Sequence, residues 1–425
     1  MKVLLIAPNI DGTDVGEALI AFKWAQALSG LVDLTVLSFQ RPGRADLCAQ
    51  LPNARVVTWP EPAWARKHER LNAMLKPAWP VFARRVRRWM QTAQREGACF
   101  DVAHQLMPQA ARYPSPLRHF DVPYIIGPLG GALETPDAFK GEATSAPLFT
   151  RLRALDQFRF RHDPWLRDTY TRAACVLGVA PYVRDVLADV PLRRFEPVLE
   201  LGIDDVEPLN DHGTAPGHLK VLHVGRGVRT KGLRDTVRAL ALLKDMPNVT
   251  LTSAGAGEEI DLCRAEAESL GVKDRVQFLG RVSRDAVEAL YASHDAFCFP
   301  SFREPAGGVL YEAMRHGLPV ITADRGGPAW IIDASSGIKI PVTTPDEFAT
   351  DIASALRDLA NAPELGKRLG QGAQAKVARE GLWPSKAASL VALYRDIVTD
   401  QMAPPTLRKD RVTPTKLRVE TPFTQ

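Results

Sequence analysis

Two successive series of short apolar segments, each followed by a longer helical pattern, constrain the fold of this 425-residue chain more than any other feature. The first series comprises KVLLIAP, DLTVLSF, ARVVTW, DVAHQL, PYIIGPL, CVLGVA and PVLELGI. The second comprises KVLHVGR, NVTLTSAG, RVQFLGR, AFCFPS, PVITAD and GIKIPV. Continuous apolar strands separated by helices indicate parallel sheets covered on both faces. Two such series predict an α/β protein with two doubly wound domains.

A stretch rich in Asp, Gly and Pro at residues 201–220 is typical of a linker and separates the two series. We therefore predict an N-terminal domain over residues 1–203 and a second domain over residues 204–382. A final helical pattern covers residues 383–400. Residues 401–425 combine Pro, Thr and charge without apolar periodicity, which predicts a flexible tail.

The composition favours a cytoplasmic protein. The five cysteines are scattered and lack Cys-x-x-Cys spacing, so neither a disulfide framework nor a zinc site is expected. The opening MKVLLIAPNI has no cleavage pattern of small residues and is interpreted as a first buried strand. No apolar run is long enough to predict a membrane span. The net charge of +5 is small for this length and indicates no particular partner.

Candidate site residues follow the strands, because ligands bind at the carboxyl ends of strands in such sheets. Gly12 and Gly16 follow the first strand, where glycine lets the backbone approach a ligand closely. They do not complete a Gly-x-Gly-x-x-Gly fingerprint, which argues against a nicotinamide-dependent dehydrogenase. His104 lies near the end of DVAHQL, and a lone histidine there is either a structural residue or part of a site.

Charged residues follow two strands of the second series. Arg226 and Lys231 flank a strand-to-helix turn, and two cations beside a helix N-terminus suit a diphosphate. Glu304 and Glu312 have seven residues between them, including a glycine pair. Ionised carboxylates only accept hydrogen bonds, which suits the hydroxyls of a sugar.

The segments VGRGVRTKG and FCFPSFREPAGGVLYEAMRHGLPVITADRGGP together resemble the retaining, nucleotide-sugar-dependent glycosyltransferases of family 4. The resemblance is strongest from about residue 220 to residue 332. It implies the GT-B fold, in which two Rossmann-like domains face each other across a cleft, the N-terminal one on the acceptor side and the second binding the nucleotide-sugar donor. The helical pattern at 383–400 resembles the family's last helix, which crosses back onto the first domain. The chain departs from the family pattern at EPAGG, where an aromatic residue is frequent, and at DGTDVGE, where a glycine pair is frequent.

The resemblance also implies residue roles. Arg226 and Lys231 match the pair that holds the donor diphosphate, Glu304 matches a glutamate near the donor sugar, and His104 matches a histidine near the reacting sugar. These four are the expected catalytic residues. The expected donor-binding residues are Gly12, Gly16, Val282, Gly307, Gly308 and Glu312, of which Glu312 matches the glutamate that accepts from the ribose hydroxyls.

The implied reaction moves a sugar from a nucleotide-diphosphate sugar, such as a UDP-sugar or GDP-sugar, to a hydroxyl of a saccharide or lipid-linked saccharide. The anomeric configuration would be retained. No Asp-x-Asp occurs, so neither a metal nor a cofactor is expected, and the cations would stabilise the leaving group. Cell-envelope polysaccharide or glycolipid synthesis is the expected setting. A nucleotide-sugar epimerase on the same fold and a non-catalytic sugar-nucleotide-binding protein are the alternatives.

A basic segment adds a possible membrane contact. Residues 66–95 carry nine Lys or Arg and one acid, and the helical pattern at 80–97 has an apolar stripe of Phe82, Val86, Trp89 and Ala93. An interfacial helix on an anionic membrane is one interpretation. An ordinary surface helix docked on the N-terminal sheet is the other. No nucleic-acid recognition motif is present, so nucleic acid is not an expected partner.

Overall fold

The computed structural model describes residues 1–66, 76–142, 147–209 and 215–402. The described residues divide into two compact units. Of these residues, the first unit takes in those within 1–131, 151–200 and 383–402, and the second takes in those within 132–150 and 201–382. The predicted boundary after residue 203 lies close to the observed one, but the prediction placed residues 132–150 in the first domain. The predicted flexible tail lies outside the described residues from 403 onward.

The first unit contains a seven-stranded parallel sheet in the order β3-β2-β1-β4-β5-β6-β7. Its strands are β1 Lys2–Asn9, β2 Asp33–Gln40, β3 Arg55–Pro60, β4 Val102–Gln105, β5 Tyr124–Leu129, β6 Cys175–Gly178 and β7 Phe195–Pro197. The central strand β1 is buried along both faces, which is why its sequence is continuously apolar.

Helices cover this sheet. They are α1 Glu17–Ser29, α2 Leu47–Gln50, α3 Ala63–Arg66, α4 Trp79–Arg95, α5 Pro147–His162, α6 Pro164–Arg172, α7 Tyr182–Val186 and the C-terminal α15 Trp383–Met402. Helix α15 packs against α1, and the rings of Trp24 and Trp383 meet edge to face at 5.5 Å. The last helix of the chain therefore completes the core of the first unit.

The second unit contains a six-stranded parallel sheet in the order β10-β9-β8-β11-β12-β13. Its strands are β8 Leu219–Val224, β9 Val249–Ala254, β10 Val276–Gly280, β11 Ala296–Phe299, β12 Val320–Ala323 and β13 Gly337–Ile340. Its helices are α8 Leu233–Leu242, α9 Glu259–Ser269, α10 Arg284–Ser293, α11 Gly308–Arg315, α12 Gly326–Ile331, α13 Pro345–Asn361 and α14 Pro363–Glu380. The prediction of two doubly wound α/β domains is thus confirmed.

One predicted strand is wrong. PVLELGI begins at residue 197, where β7 ends, so the run lies beyond the strand. The amide of Val198 still donates to the Gly178 carbonyl at 2.7 Å, but Leu199 is buried by packing. The carbonyl of Glu200 accepts from the Trp24 indole at 2.8 Å. Burial of side chains such as Leu199 and Ile203 outside the sheet explains the apolar character of the run.

The basic helix α4 is docked on the first unit. Phe82, Val86, Met90 and Ala93 are buried, and the ring of Phe82 lies 5.1 Å from that of Phe39 on β2. Trp89 is half-buried against Phe100. The apolar stripe is therefore already covered by protein, which favours the docked surface helix over an inserted interfacial one.

Within the described residues, no helix has the length and apolarity that a membrane span requires.

Candidate functional site

The strand order of the second sheet defines where a ligand would bind. Strands β8 and β11 are neighbours, and the chain continues from β8 towards β9 on one side and from β11 towards β12 on the other. Such a topological switch point leaves a crevice at the carboxyl ends of the two central strands. The loops that follow them, residues 225–232 and 300–307, therefore form the candidate site.

An ion pair joins these two loops. Lys231 ends the 3-10 turn Arg229–Lys231 after β8, and its Nζ donates to Oε2 of Glu304 in the loop after β11. Both side chains keep about one seventh of their surface exposed, at 13% and 14%. The Lys231 ammonium also lies 5.3 Å from the centre of the Phe299 ring. Two predicted catalytic residues are thus brought together at the switch point.

Arg226 lies in the same loop as Lys231 but is exposed. Across the described part of the chain, its guanidinium has neither a hydrogen bond nor an ion pair. It presents its five donors to solvent beside the switch point, which suits bidentate recognition of a phosphate.

The predicted glycine pair begins helix α11. Gly307 has φ 88°, a left-handed conformation that glycine adopts without strain, and Gly308 is the first helical residue. The free amides at this N-terminus favour an anion. A second glycine pair packs beneath the loop: the Gly327 amide donates to the Glu304 carbonyl at 3.0 Å. A Cβ at Gly326 would lie only 2.4 Å from the same oxygen.

Glu312 lies in the second turn of α11, away from the helix N-terminus. Its Oε2 accepts from the Tyr291 hydroxyl at 3.2 Å, and no protein donor reaches Oε1 among the described residues. Burial raises the pKa of Glu312, and the Tyr291 hydrogen bond opposes this shift only in part. The His316 ring stacks on Tyr291 with 5.5 Å between the ring centres. Because the Glu288 carboxylate only accepts, Nε2 of His316 donates to its Oε2 at 2.7 Å. This arrangement holds one carboxylate oxygen and leaves the other for a ligand hydroxyl.

Val282 is half-buried in the loop between β10 and α10, also at the carboxyl edge of the second sheet. The loops after β8 and β9 contact each other closely. A Cβ at Gly255 would clash with the carbonyl oxygen of Gly225, so only glycine fits there. The structure therefore gathers Arg226, Lys231, Val282, Glu304 and the α11 N-terminus at one edge of one sheet.

In the first unit, Gly12 and Gly16 lie in the turn between β1 and α1. The Gly12 amide donates to Oε1 of Gln50 at 2.7 Å, and a Cβ there would lie 2.7 Å from the Phe22 ring. Gly16 has φ 64° and no atom near its Cβ position. Gly12 is thus a packing glycine and Gly16 a turn glycine; their contact with a donor stays a prediction.

His104 lies within strand β4 and is fully buried. Its Nε2 lies 2.6 Å from the Gly127 carbonyl, and its Nδ1 lies 2.6 Å from the Tyr394 hydroxyl on α15. Because a carbonyl only accepts, Nε2 carries the proton and Nδ1 accepts from Tyr394. Burial lowers the pKa of His104 to about 4, so the ring is neutral. Both nitrogens are occupied, which favours the structural interpretation; the catalytic role stays a prediction.

Two residues next to Lys231 were not singled out from the sequence. Arg229, 5% exposed, is ion-paired with Asp235 in α8 and with Glu142. His223 in β8 lies 3.2 Å from the Lys231 carbonyl through Nε2, and burial lowers its pKa to about 4. Both fix the turn that carries Lys231. The only sequence signal for Arg229 is the basic run VRTKG. A basic run does not show whether its arginine faces the interior or the solvent.

No group of three or more His, Cys, Asp or Glu side chains in the described ranges has the arrangement of a metal site.

A known protein family matches the part of the chain that forms this edge of the second sheet. Residues 208–376 match the model of the family described as glycosyl transferases group 1. The matched region contains Arg226, Lys231, Glu304 and Glu312. It covers less than half of the chain and lies within the second unit.

Curated relatives show similarity over part of their length. An uncharacterised glycosyltransferase of Methanocaldococcus jannaschii is 36% identical over 139 residues, which is 32% of this chain and 36% of that protein. A D-inositol 3-phosphate glycosyltransferase of Corynebacterium glutamicum is 33% identical over 217 residues, 46% and 51% of the two chains. A lipopolysaccharide core biosynthesis glycosyltransferase of Rhizobium meliloti, LpsE, is 31% identical over 163 residues, 38% and 46%. The chain thus spans about half, or less, of these relatives.

Solved structures extend the similarity to nearly the whole chain. Sucrose-phosphate synthase from Thermosynechococcus elongatus matches with a TM-score of 0.62 and 18% identity, covering 93% of this chain and 99% of that one. Anabaena HepE, crystallised with UDP and glucose, matches with a TM-score of 0.58 and 18% identity, covering 93% and 100%. At this identity the likeness establishes the fold, which is GT-B.

Proposed function

We propose that this protein is a glycosyltransferase that moves a sugar from a nucleotide-diphosphate sugar to a hydroxyl of a saccharide or lipid-linked saccharide. One observation carries the proposal. The Lys231–Glu304 pair joins the two loops at the switch point of the second sheet, inside the region that matches the group 1 glycosyl transferases. A cation and a carboxylate in contact there can address the phosphate and the sugar of one donor.

Three groups would bind the diphosphate. Arg226 offers a guanidinium that no described residue pairs with, Lys231 offers an ammonium, and the N-terminus of α11 offers backbone amides. All three lie in or directly after the loops that follow β8 and β11 at the carboxyl edge of the sheet. Negative charge grows on the diphosphate as the sugar departs, so preorganised cations lower the barrier to transfer. Metal-independent catalysis is part of the proposal, and activity in excess EDTA tests it.

The two glutamates would bind hydroxyl groups. Glu304 shares its carboxylate with Lys231, so it can accept from donor-sugar hydroxyls next to the phosphate. Glu312 has Oε1 available while Tyr291 holds Oε2, which suits the ribose diol. The carboxylates differ in surroundings, and the raised pKa of the buried Glu312 sets the lower pH limit for ribose binding.

The proposed reaction is front-face transfer with retention. The acceptor oxygen forms a bond to the anomeric carbon while the bond from that carbon to the diphosphate oxygen breaks. The nucleoside diphosphate leaves with the bonding electron pair, and a phosphate oxygen takes the proton of the acceptor hydroxyl. Arg226 and Lys231 stabilise the departing charge throughout. Retention and membership of family 4 belong to this proposal.

The setting we propose is envelope polysaccharide or glycolipid synthesis on the cytoplasmic side of the membrane. It is supported by similarity to the lipopolysaccharide core enzyme LpsE. The apolar stripe of α4 is buried, so any membrane contact through this helix would be electrostatic. Its outward-facing Arg84, Arg87 and Arg88 are exposed and would provide the charge. Co-sedimentation with anionic liposomes, compared with neutral ones, tests this part separately.

A thermal-shift panel of UDP-, GDP- and ADP-sugars tests donor binding directly. A ligand that binds only the folded state raises the melting temperature, by an amount set by its concentration relative to its Kd. One sugar nucleotide is expected to stabilise the protein, and adding a saccharide acceptor should then yield a glycoside. NMR of the anomeric proton should show retained configuration. Absence of any shift across the panel would overturn the proposal, and an inverted anomer would overturn its mechanism.

The same assay separates the two alternatives. An epimerase would release an epimer or free sugar without needing an acceptor. A non-catalytic binding protein would give the thermal shift but neither transfer nor donor hydrolysis. Arg226, which is unpaired in the part of the chain that the structure describes, and the Lys231–Glu304 pair favour catalysis, because both place charge where the leaving group would develop it.

A further inference from the structure

Residues 133–142 come from the N-terminal half of the sequence but belong to the second unit. We call them the docked segment. Phe139, at the end of the 3-10 turn Asp137–Phe139, is fully buried in the core cluster of the second unit. Its ring lies 4.3 Å from Phe302 and 5.7 Å from Phe348. An element more than 70 residues distant in sequence thus packs directly on the loops of the candidate site.

One end of the docked segment holds the turn that carries Lys231. Oε2 of Glu142 accepts from Arg229 Nε at 2.9 Å and from Nη2 at 2.6 Å. Arg229 also donates twice to Asp235, at 2.6 and 2.8 Å. Burial alone would raise the pKa of Glu142, but hydrogen bonds from Arg238 and Arg229 outweigh it and lower that pKa to about 2. Glu142 is therefore charged at every ordinary pH and bound to a residue two positions from Lys231.

The other end holds the loop that carries Glu304. The Phe139 ring packs at a tilt against Phe302, two residues before Glu304. The Thr135 hydroxyl accepts from Arg303 Nη1 at 3.0 Å, immediately before Glu304. Leu133 packs against Gly326, which also contacts the Glu304 carbonyl. A Cβ at Gly326 would lie 2.7 Å from Cδ2 of Leu133.

We propose that the docked segment is a positioning element that sets the placement of Lys231 relative to Glu304. Its anchors lie within two residues of each member of the pair, and they sit on two different loops. Glu142 and Thr135 are the positioning residues, one for each loop. The proposal rests on the proposed function. It assigns the segment the role of holding Lys231, which would bind the donor phosphate, at the correct distance from Glu304, which would bind the donor sugar.

Positioning differs from general packing in its consequences. A segment that only adds buried area would lower stability when weakened, whatever the state of Lys231. A positioning segment acts through Lys231 and Glu304, so its effect on turnover disappears when those side chains are removed. Small misplacements of catalytic groups cost much rate, which makes the difference measurable.

The test uses two variants of the full chain, each in two backgrounds. Glu142→Gln weakens the Arg229 anchor, and Thr135→Val removes the milder Arg303 anchor in case the first variant folds poorly. Turnover is expected to fall roughly ten- to hundredfold for Glu142→Gln. In the Lys231→Ala background Glu142→Gln should change turnover little, and in the Glu304→Gln background Thr135→Val should change it little. Asp333→Asn is the matched control, since it weakens the ion pair with Lys376 before β13, at the amino edge of the sheet.

Hydrogen–deuterium exchange supplies a readout that does not depend on activity. Both anchor variants should increase exchange in residues 225–232 or 300–307, and the control should not. Unchanged exchange there, or turnover losses that simply add to those of Lys231→Ala and Glu304→Gln, would overturn the proposal. If the wild-type protein transfers no sugar, the proposed function fails, and the exchange measurement alone decides whether the docked segment positions the two loops.

Discussion

The carboxyl edges of the two sheets share one strand order around their switch points but differ in chemistry. In the first unit, the switch-point strand β4 carries His104, which is buried, neutral and bonded at both nitrogens. Charges in the neighbouring loops are paired with each other, as in Arg41–Asp14 at 2.8 Å. In the second unit, Lys231 and Glu304 keep part of their surface exposed and Arg226 has no partner in the described residues.

This difference shows that topology sets the place of a site but not its ligand. Both sheets offer a crevice after their central strands. Among the described residues, the second edge combines the unpaired Arg226 guanidinium with a helix N-terminus that begins at a glycine pair, a combination that suits a diphosphate. The comparison therefore supports the proposal that the donor binds at the second unit.

The largest effect is predicted for variants that remove the cations at the carboxyl edge of the second sheet. Lys231→Ala and Arg226→Ala should each lower kcat by about 10²–10³-fold, because each removes charge that stabilises the leaving diphosphate. Steady-state kinetics with the donor identified by thermal shift measures the change. Arg264→Ala, at an exposed arginine on α9, is the matched control and should retain wild-type turnover. Wild-type turnover in both site variants would remove the basis for assigning donor chemistry to this edge.

The next effect separates sugar from phosphate recognition. Glu304→Gln keeps the size of the side chain but removes its charge, and turnover should fall about 10–100-fold, as expected when a hydrogen bond to a charged group is weakened. Affinity for the nucleoside diphosphate without sugar should not fall, because Lys231 is then relieved of its carboxylate partner. Calorimetry with the diphosphate alone makes the distinction. A parallel loss of diphosphate affinity would contradict a sugar-side role for Glu304.

In the first unit, replacing the switch-point residue His104 should lower stability and leave turnover nearly unchanged. His104→Gln leaves Tyr394 or Gly127 imperfectly paired, which should cost about 1–3 kcal/mol of unfolding free energy. Turnover of the folded variant should stay within about threefold of wild type, because no ring nitrogen is free for a ligand. Denaturant unfolding and kinetics on the same samples measure both. A large loss of turnover at unchanged stability would restore the catalytic interpretation of His104.

The pH dependence of stability follows from the same histidine. Its folded pKa, about 4, lies below the ordinary value of 6.5 because of burial. Its contribution to stability is therefore present above pH 6.5 and is lost as the pH falls towards 4. His104→Gln should weaken this acid dependence, and melting curves between pH 7 and pH 4 would show it. Burial also lowers the pKa of His223 to about 4, so this residue should add to the acid dependence from the second unit.

The smallest effects compare two glycines with the same φ of 64°, one at each edge. Gly16→Ala has open space around the new Cβ, so only backbone strain of about 1 kcal/mol is expected. Gly326→Ala meets the Glu304 carbonyl at 2.4 Å, so the loop must shift, and both melting temperature and turnover should fall further. Equal losses in the two variants would show that the Glu304 loop adapts without cost.

Sequence reasoning reached the fold because continuous apolar strands and intervening helices are local signals. It selected Arg226, Lys231 and Glu304 as candidate site residues because each follows a strand of a recognisable series, and their roles stay predictions. PVLELGI was misjudged because an apolar run does not show whether it is buried by pairing or by packing. The docked segment was missed because Glu142 and Arg229 are 87 residues apart. Nothing local in ETPDAFKGE predicts that Phe139 enters the core of the other unit.

Titration of the donor into wild-type protein and into Lys231→Ala is the most direct test of the central claim, that the switch point of the second unit binds a nucleotide-diphosphate sugar. Isothermal calorimetry should show binding of one of the UDP-, GDP- or ADP-sugars to the wild type and an affinity at least about tenfold weaker in the variant, the loss expected for one charge-assisted phosphate contact. Equal affinity in the two proteins, or no binding by the wild type, would contradict the claim.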